Sequence, residues 1–186
     1  MIKKALVFLA PGFEELEALA PVDVLRRANV SVAVAGVQAD AAGRVFGAHN
    51  VPVVCDLPAE ALDLSGFDLV YFPGGMPGAA NLASCGLCLD AARRVHDSGG
   101  LVCAICAAPI VLDAAGLLDG MEYTCYPGFE KRISHGVYTG KFIQKSGRIL
   151  TACGPGAALD FSLEILRSGG MGALASQLAD GMMARR

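Results

Sequence analysis

The sequence has little charge and no excess of basic residues. Of its 186 residues only 18% are Asp, Glu, Lys or Arg, and the formal net charge is -3 at pH 7. Proteins that bind nucleic acid or an anionic membrane surface through charge need a basic face, so we expect neither partner. Hydrophobic residues make up 54% of the chain, which is enough for a large core and excludes intrinsic disorder.

Long hydrophobic runs are also absent from the sequence. No apolar stretch approaches the length of a membrane-spanning helix. Lys3 and Lys4, followed by the apolar residues 5–10, imitate the start of a signal peptide, but this stretch is too short and lacks a convincing cleavage site. We therefore expect a cytoplasmic protein whose 7 cysteines are reduced thiols, since an odd number of cysteines does not suit a disulfide framework.

The sequence contains no repeat, linker or low-complexity segment, which predicts one domain over residues 1–186. Short apolar runs alternate with stretches of helical spacing, and this predicts a doubly wound α/β sandwich that binds ligands at the carboxyl ends of its strands. Predicted strands cover residues 4–10, 30–36, 67–72 and 101–105, with a short strand or hairpin within 44–57 and a β-rich segment over 121–152; predicted helices cover 14–28, 79–96, 107–115, 157–166 and 172–183.

Two prolines modify this prediction. Pro21 lies inside the first predicted helix and should kink or restart it, because proline lacks the amide hydrogen that helical bonding requires. Pro52 lies in the 44–57 segment and indicates a sheet edge, where a missing backbone donor is tolerated.

The strongest local feature is Cys106, where a buried strand runs straight into a helix. The spacing is that of a nucleophile elbow, in which small residues two positions before and after the nucleophile let the chain turn sharply; here these are Ala104 and Ala108. Free N–H groups and the dipole at a helix N-terminus stabilise a thiolate, so we expect a lowered pKa for Cys106. The alternative is a buried structural cysteine, the usual fate of this residue type.

Two CxxC pairs, Cys85–Cys88 and Cys103–Cys106, allow a competing interpretation. Their separation is close to that of a zinc ribbon, but Cys103 lies inside an apolar strand rather than on a glycine-containing knuckle. A thioredoxin-like redox pair is disfavoured at either position, because that motif opens a helix with both sulfurs in its first turn. We expect no metal site, and structural zinc remains an alternative to the elbow.

Two further segments could complete a site around Cys106. Pro73-Gly74-Gly75 follows a predicted strand and begins a loop, so its N–H groups are free to face a ligand, as in an oxyanion hole; a plain turn is the alternative. Glu14 and Glu17 follow the first strand at the same sheet edge and share one helix face. Either carboxyl, if desolvated beside the thiol, would have a raised pKa and could transfer protons, whereas a solvated helix start would explain both.

Taken together, these residues resemble the ThiJ/PfpI superfamily, and specifically its DJ-one branch. The likeness runs in order from residue 3 to about residue 180, and its combination of acidic helix start, Pro-Gly-Gly loop and cysteine elbow is specific. The segments that carry it are Ala-Pro-Gly-Phe-Glu-Glu-Leu-Glu-Ala at 10–18, Pro-Val-Asp-Val-Leu-Arg-Arg at 21–27, Pro-Gly-Gly at 73–75, Ala-Ile-Cys-Ala-Ala-Pro at 104–109 and Gly-Pro-Gly at 154–156.

The resemblance implies a flavodoxin-like three-layer sandwich with a mostly parallel central sheet, usually a homodimer. It further implies that Cys106 is the nucleophile, that Glu17 is the acid hydrogen-bonded to it, and that no cofactor is needed. The residues expected to bind a small carbonyl substrate are Gly74, Gly75, Ala107, Arg27, Tyr126 and His49.

Two functions follow from this resemblance. Members of the branch are described as glyoxalases that turn methylglyoxal into lactate and as deglycases that act on early adducts of proteins and nucleotides. They are also described as oxidative-stress proteins or chaperones whose cysteine is oxidised to a sulfinate. We therefore expect an enzyme for 2-oxoaldehydes or their adducts; the alternative is a redox-sensing, chaperone-like protein in which Cys106 oxidation is the selected event and catalysis is incidental.

The chain departs from its relatives at several positions. In the protease and amidase branch a histidine follows the nucleophile, whereas Ala107 does so here, and peptide hydrolysis is therefore not expected. Tyr126 stands before Pro127 where some members have histidine, which argues against a histidine-assisted mechanism. Arg27 matches a family arginine near the pocket rim, but His49 replaces another, so anion binding should be weaker or pH-dependent.

Overall fold

A seven-stranded β-sheet forms the centre of the computed structural model, which describes residues 1–184. Numbered in chain order, the strands of this range are β1 (Lys4–Leu9), β2 (Ser31–Gly36), β3 (Arg44–Phe46), β4 (Pro52–Val54), β5 (Leu57–Pro58), β6 (Leu69–Phe72), β7 (Leu101–Ile105), β8 (Glu122–Tyr123), β9 (Val137–Tyr138), β10 (Ile143–Ser146) and β11 (Ile149–Ala152). The central sheet has the order β10-β11-β7-β6-β1-β2-β5, and only the β10–β11 pair of this described sheet is antiparallel.

The α-helices of the described chain cover both faces of this sheet. They are α1 (Glu15–Arg27), α2 (Gly78–Ala83), α3 (Gly86–Asp97), α4 (Pro109–Ala114), α5 (Ala158–Ser168) and α6 (Gly172–Gly181). Helices α1, α5 and α6 pack in one group, and α2, α3 and α4 in another. Crossovers between parallel strands are right-handed. Because the chain moves across the sheet in one direction from β1 to β2 and in the opposite direction from β6 to β7, the two groups of helices lie on opposite faces of the sheet. The predicted flavodoxin-like sandwich is confirmed.

The centre of the sheet is the most deeply buried part of the fold. Every residue of β6 and β7 is buried, as is all of β1 except Lys4. Parallel strands with helices on both faces do not meet water, which is why these strands are continuous apolar runs in the sequence. The rings of Phe8 and Phe72 stack with centroids 5.7 Å apart and join β1 to β6. The carboxyl ends of β1, β6 and β7 are thereby held side by side.

Several predicted boundaries can be compared with the fold. The 44–57 segment does contain a hairpin, in which Phe46 of β3 lies opposite Pro52 of β4. The single helix predicted over 79–96 is wrong, because the chain breaks between α2 and α3 at Cys85, whose backbone is extended (φ -91, ψ 108). No helix of residues 1–184 has both the length and the apolar character needed to cross a bilayer. Residues 185 and 186 of the predicted 1–186 domain lie outside the described residues.

Pro21 does not restart the first helix, which continues from Glu15 to Arg27 with the proline inside it. Because proline has no amide hydrogen, the carbonyl of Glu17, four residues earlier, lacks its usual helical donor. The buried Tyr71 hydroxyl on β6 donates a hydrogen bond to this carbonyl at 2.9 Å. A side chain distant in sequence thus satisfies the group that the proline leaves unpaired, and it ties α1 to the centre of the sheet.

We predict that Tyr71→Phe lowers the free energy of unfolding by about 1–3 kcal/mol, because the buried Glu17 carbonyl loses its donor. Chemical denaturation measures this loss. In a Pro21→Ala background residue 21 regains an amide hydrogen, and the same substitution should cost clearly less. Equal losses in both backgrounds would show that the hydroxyl does not replace a helical bond.

Candidate active site

Cys106 lies at a sharp turn directly after β7. Its backbone has φ 61, in the left-handed region that residues other than glycine rarely adopt, and such conformations concentrate at functional turns. The Cys106 N–H donates to the carbonyl of Ala152 at 2.9 Å, and its carbonyl accepts from the N–H of Tyr126 at 2.9 Å. The predicted small flanking residues, Ala104 and Ala108, are fully buried. The predicted elbow is therefore present, with the cysteine only 9% exposed.

Glu17, in the first turn of α1, points its carboxyl group into the protein and is fully buried. Its Oε2 accepts a hydrogen bond from the N–H of Gly74 at 2.8 Å. Its Oε1 is buried and has no hydrogen-bond partner of good geometry among the described residues. The carboxyl interacts with the Cys106 thiol through a side-chain hydrogen bond that acts on the pKa of both groups. The sheet edge therefore brings the acid and the thiol together.

Gly74 allows this close approach. A Cβ atom at this position would lie 2.7 Å from Cys106 Cβ and 2.7 Å from Glu17 Oε2, so any side chain would push the pair apart. The Gly74 carbonyl also accepts from the N–H of Glu14 at 3.0 Å, while the Glu14 side chain caps α1 by accepting from Glu17 N–H at 2.7 Å. Both backbone groups of Gly74 thus hold the start of α1 against the end of β6.

The Glu17 carboxyl has a raised pKa of about 7. Burial is the main cause, because it disfavours the charged form, while the hydrogen bond from the Cys106 thiol opposes it. The negative charge of Glu14 raises the pKa further, and the hydrogen bond from Gly74 N–H lowers it. A carboxyl with such a pKa can both accept and release a proton near neutral pH.

The pKa of Cys106 is raised rather than lowered, so the expected thiolate is not favoured. Burial is the largest cause, and the Glu17 carboxyl adds to it through its charge and its hydrogen bond. Hydrogen bonds from the N–H groups of Gly75 and Ala107 act in the opposite direction. The helix-dipole argument fails because Ala107 and Ala108 separate the thiol from the short helix α4, and because it ignores the neighbouring acid. The pair holds one negative charge more readily than two.

The other predicted substrate-binding residues lie at different distances from this pair. Tyr126 reaches the elbow through its backbone bond to Cys106, and its side chain is partly exposed. Arg27 stands ten residues after Glu17, about 15 Å along the helix axis, and its guanidinium binds Asp23 at 2.8 Å. Within the described chain Arg27 is therefore not brought to Cys106, and its role in binding stays a prediction.

His49 is held by Glu15 rather than by the thiol. The His49 Nδ1 lies 2.7 Å from Glu15 Oε2, and the His49 N–H donates to Glu15 Oε1 at 2.7 Å. Burial acts to raise the pKa of Glu15, but hydrogen bonds from the His49 side chain and from the backbone of His49, Glu15 and Val51 together outweigh it, and the net shift is downward. The same contact raises the pKa of His49, which favours its protonated, anion-binding form. The predicted pH-dependent anion site at His49 remains untested.

The zinc interpretation of the two CxxC pairs is wrong in its geometry. Cys85 and Cys88 lie at the start of α3, Cys103 is buried within β7, and Cys106 stands beyond the end of that strand. Among the described residues, these four sulfurs do not form a cluster that could share one ion.

Sequence reasoning missed Tyr71, which fixes the backbone of Glu17. Because Tyr71 lies in an apolar run, the sequence indicated only a core residue of a buried strand. The available signal was Pro21, since a proline inside a helix requires another donor for the carbonyl four residues earlier.

The raised pKa of Glu17 predicts how stability depends on pH. The folded state keeps the proton up to about pH 7, whereas the unfolded chain releases it near the ordinary pKa of 4.5. The folded state therefore binds more protons in this window, and the contribution of Glu17 to stability is lost as the pH rises through it, by up to about 3 kcal/mol. Relative to Glu17→Gln, the wild-type chain should lose unfolding free energy between pH 4.5 and 7.

Chemical denaturation across this pH range tests the prediction. Glu60→Gln makes the same change at an exposed glutamate and should leave the pH profile unaltered. Parallel profiles for the wild type and Glu17→Gln would mean that the carboxyl is not desolvated as the structure indicates.

Comparisons with known proteins identify the family of the chain. Residues 3–168 match the model of the DJ-1/PfpI family. Protein dj-1beta of Drosophila melanogaster is 38% identical over 167 residues, which cover 89% of this chain and 88% of that protein. Glutathione-independent glyoxalase DJR-1.2 of Caenorhabditis elegans is 34% identical over 171 residues, which cover 89% of this chain and 88% of that protein.

Solved structures give the same result. The crystal structure of Drosophila melanogaster DJ-1beta is similar with a TM-score of 0.93 at 34% identity, and covers 100% of both chains. The structure of oxidised Toxoplasma gondii DJ-1 has a TM-score of 0.92 at 29% identity, again with 100% of both chains covered. From the family match and the identity to these relatives, the chain belongs to the DJ-1/PfpI family.

Proposed function

We propose that this protein is a cysteine-dependent enzyme that acts on 2-oxoaldehydes such as methylglyoxal. The observation that carries the proposal is the buried pair of Cys106 and Glu17, in which the acid has a pKa of about 7. The glyoxalase name of the Caenorhabditis elegans relative supports the same chemistry. Because Cys106 is only 9% exposed, a small free aldehyde suits the site better than an adduct on a protein or nucleotide, which is the deglycase alternative.

The first step is the addition of the thiol to the aldehyde. Glu17, in its ionised form, takes the proton of Cys106 as the sulfur forms a bond to the aldehyde carbon. The carbonyl π electrons move to oxygen, which takes the proton back from Glu17 to give a neutral hemithioacetal. We assign stabilisation of the developing oxyanion to the N–H groups of Gly75 and Ala107, which donate to the sulfur before the reaction.

The second step moves a proton between the two substrate carbons. Removal of the C–H proton from the hemithioacetal carbon, with protonation of the former ketone oxygen, gives an enediol. Protonation of the former ketone carbon and loss of the hydroxyl proton from the carbon bonded to sulfur then give a lactate thioester on Cys106. Water then hydrolyses the thioester, so that methylglyoxal and one water become lactic acid and the free thiol returns. One carbon is oxidised while its neighbour is reduced, so the balance requires no external oxidant or reductant.

We predict that Cys106→Ser reduces lactate formation from methylglyoxal to background, because the hydroxyl is a weaker nucleophile at a site where Ala107 rather than a histidine follows it. Glu17→Gln should lower kcat by about 10²–10⁴-fold, the usual contribution of a general acid–base. Cys55→Ser, which alters a half-buried thiol in the segment between β4 and β5, is the matched control and should retain activity. Turnover that survives Cys106→Ser would refute the proposed function.

A second candidate function is redox sensing with a chaperone-like role, in which Cys106 is oxidised to a sulfinate. The similarity to the oxidised Toxoplasma gondii DJ-1 structure favours it. Two equivalents of peroxide convert the thiol to a sulfinic acid and release two waters. A protonated Glu17 could then donate a hydrogen bond to a sulfinate oxygen. Homodimer formation, which the family resemblance implies, likewise stays a prediction.

For this second function, mass spectrometry after mild peroxide treatment should show Cys106 as the sulfinate before the other cysteines are modified. Glu17→Gln should change the rate, since the carboxyl acts on the ionisation of the thiol. Earlier oxidation of the half-buried Cys55 or Cys153 would count against redox sensing at Cys106.

A further inference from the structure

The break between α2 and α3 places two cysteines at the start of a helix. Cys85 is the N-terminal capping residue of α3, with an extended backbone, and Cys88 lies in the first turn of this 12-residue helix. The Cys85 carbonyl accepts from the N–H groups of Cys88 at 3.0 Å and Leu89 at 3.2 Å, so the turn is closed in the normal helical way. Side chains at the cap and three residues later face each other at a helix start.

The two thiols of this pair are in contact but differ in access. The side chain of Cys85 forms a hydrogen bond with that of Cys88. Cys88 is fully buried, whereas Cys85 is half-buried and is flanked by the exposed residues Ser84 and Gly86. A reagent from solvent can therefore reach Cys85, whereas Cys88 has no exposed surface of its own. Burial also raises the pKa of Cys88, which keeps it protonated until a partner is near.

We propose that Cys85 and Cys88 form a dithiol–disulfide redox site, separate from Cys106, that exchanges with low-molecular-weight disulfides. This arrangement meets the condition that the sequence alone left unmet, since the CxxC segment opens a helix with both sulfurs at its first turn. Residues three apart on a helix have Cβ atoms about 5–6 Å apart, and a disulfide needs about 3.5–4.5 Å. Cys85 stands before the helix with an extended backbone, and Gly86 beside it has open space around it, so this segment can adjust to bring the two sulfurs within bonding distance.

The exchange takes place in two balanced steps. The Cys85 thiolate attacks one sulfur of a small disulfide, its S–S bond breaks, and one thiolate leaves while the other half stays on Cys85 as a mixed disulfide. Cys88 then loses its proton and attacks the Cys85 sulfur, which expels the second thiolate. The dithiol is oxidised by two electrons, and the small disulfide is reduced to two thiols.

The test uses the full chain in buffers of reduced and oxidised glutathione. After acid quenching, free thiols are alkylated and the peptides are analysed by mass spectrometry. The wild-type peptide should contain a Cys85–Cys88 disulfide, two hydrogens lighter than the dithiol. Cys88→Ser should accumulate glutathione on Cys85, because the resolving thiol is missing. Cys85→Ser should leave Cys88 unmodified, at least tenfold below the wild-type oxidation.

The other CxxC pair provides the internal control. Cys103 and Cys106 have the same spacing but lie in a strand and beyond its end, and they should form no mutual disulfide. The Cys85–Cys88 result should be unchanged in a Cys106→Ser background, which separates this proposal from the proposed enzyme. If Cys88→Ser does not fold by circular dichroism, Cys88→Ala gives the same readout with a smaller apolar side chain.

Two outcomes would overturn the proposal. One is a wild-type chain that keeps glutathione on Cys85 and does not form the Cys85–Cys88 disulfide. The other is a pair that stays reduced in a buffer that already modifies the half-buried Cys55.

Discussion

The buried carboxyl of Glu17 is the constraint on which the arrangement of the site depends. A carboxyl removed from water needs hydrogen-bond partners and a fixed backbone to keep its place. Gly74 N–H supplies one partner, the Cys106 thiol lies beside the group, and the Tyr71 hydroxyl holds the Glu17 carbonyl. The ends of β6 and β7 and the start of α1 thus meet at one side chain. The glycine at position 74 and the tyrosine of a buried strand therefore position the acid beside the thiol.

The same burial decides what chemistry the pair can do. Two negative charges in a poorly hydrated site repel strongly, so the thiolate and the carboxylate do not coexist readily. A site of this kind does not rely on a thiolate that is already formed. Under the proposed function, proton transfer to Glu17 accompanies attack on an electrophile, which converts the charge on sulfur into a covalent bond. Aldehydes suit this requirement, because their addition gives a neutral hemithioacetal, and the pKa of about 7 allows Glu17 to return the proton.

The features that the sequence could predict depend on short segments, and those it could not predict depend on distant partners. Buried strands and the cysteine elbow follow from apolar runs and from Ala104 and Ala108 on either side of Cys106. Spacing alone could not choose between Glu14 and Glu17, because only the fold shows that Glu14 caps α1 while Glu17 is buried. The uninterrupted α1 depends on Tyr71, 54 residues from Glu17. The predicted lowering of the Cys106 pKa was wrong for the same reason, since Glu17, which helps to raise it, comes from another element.

Identical spacing of two cysteines has opposite consequences at two places in this chain. Cys103 is fully buried in β7, whereas Cys106 follows the end of that strand in a left-handed conformation. The chain turns between them, so the two thiols lie in different surroundings. Cys85 and Cys88 span a helix start, where residues three apart face each other. The backbone, rather than the spacing, thus decides which thiols can react with each other. Cys106 is paired with an acid and Cys85 with a second thiol, so under the two proposals each site reacts with a different reagent, an aldehyde at Cys106 and a disulfide at Cys85.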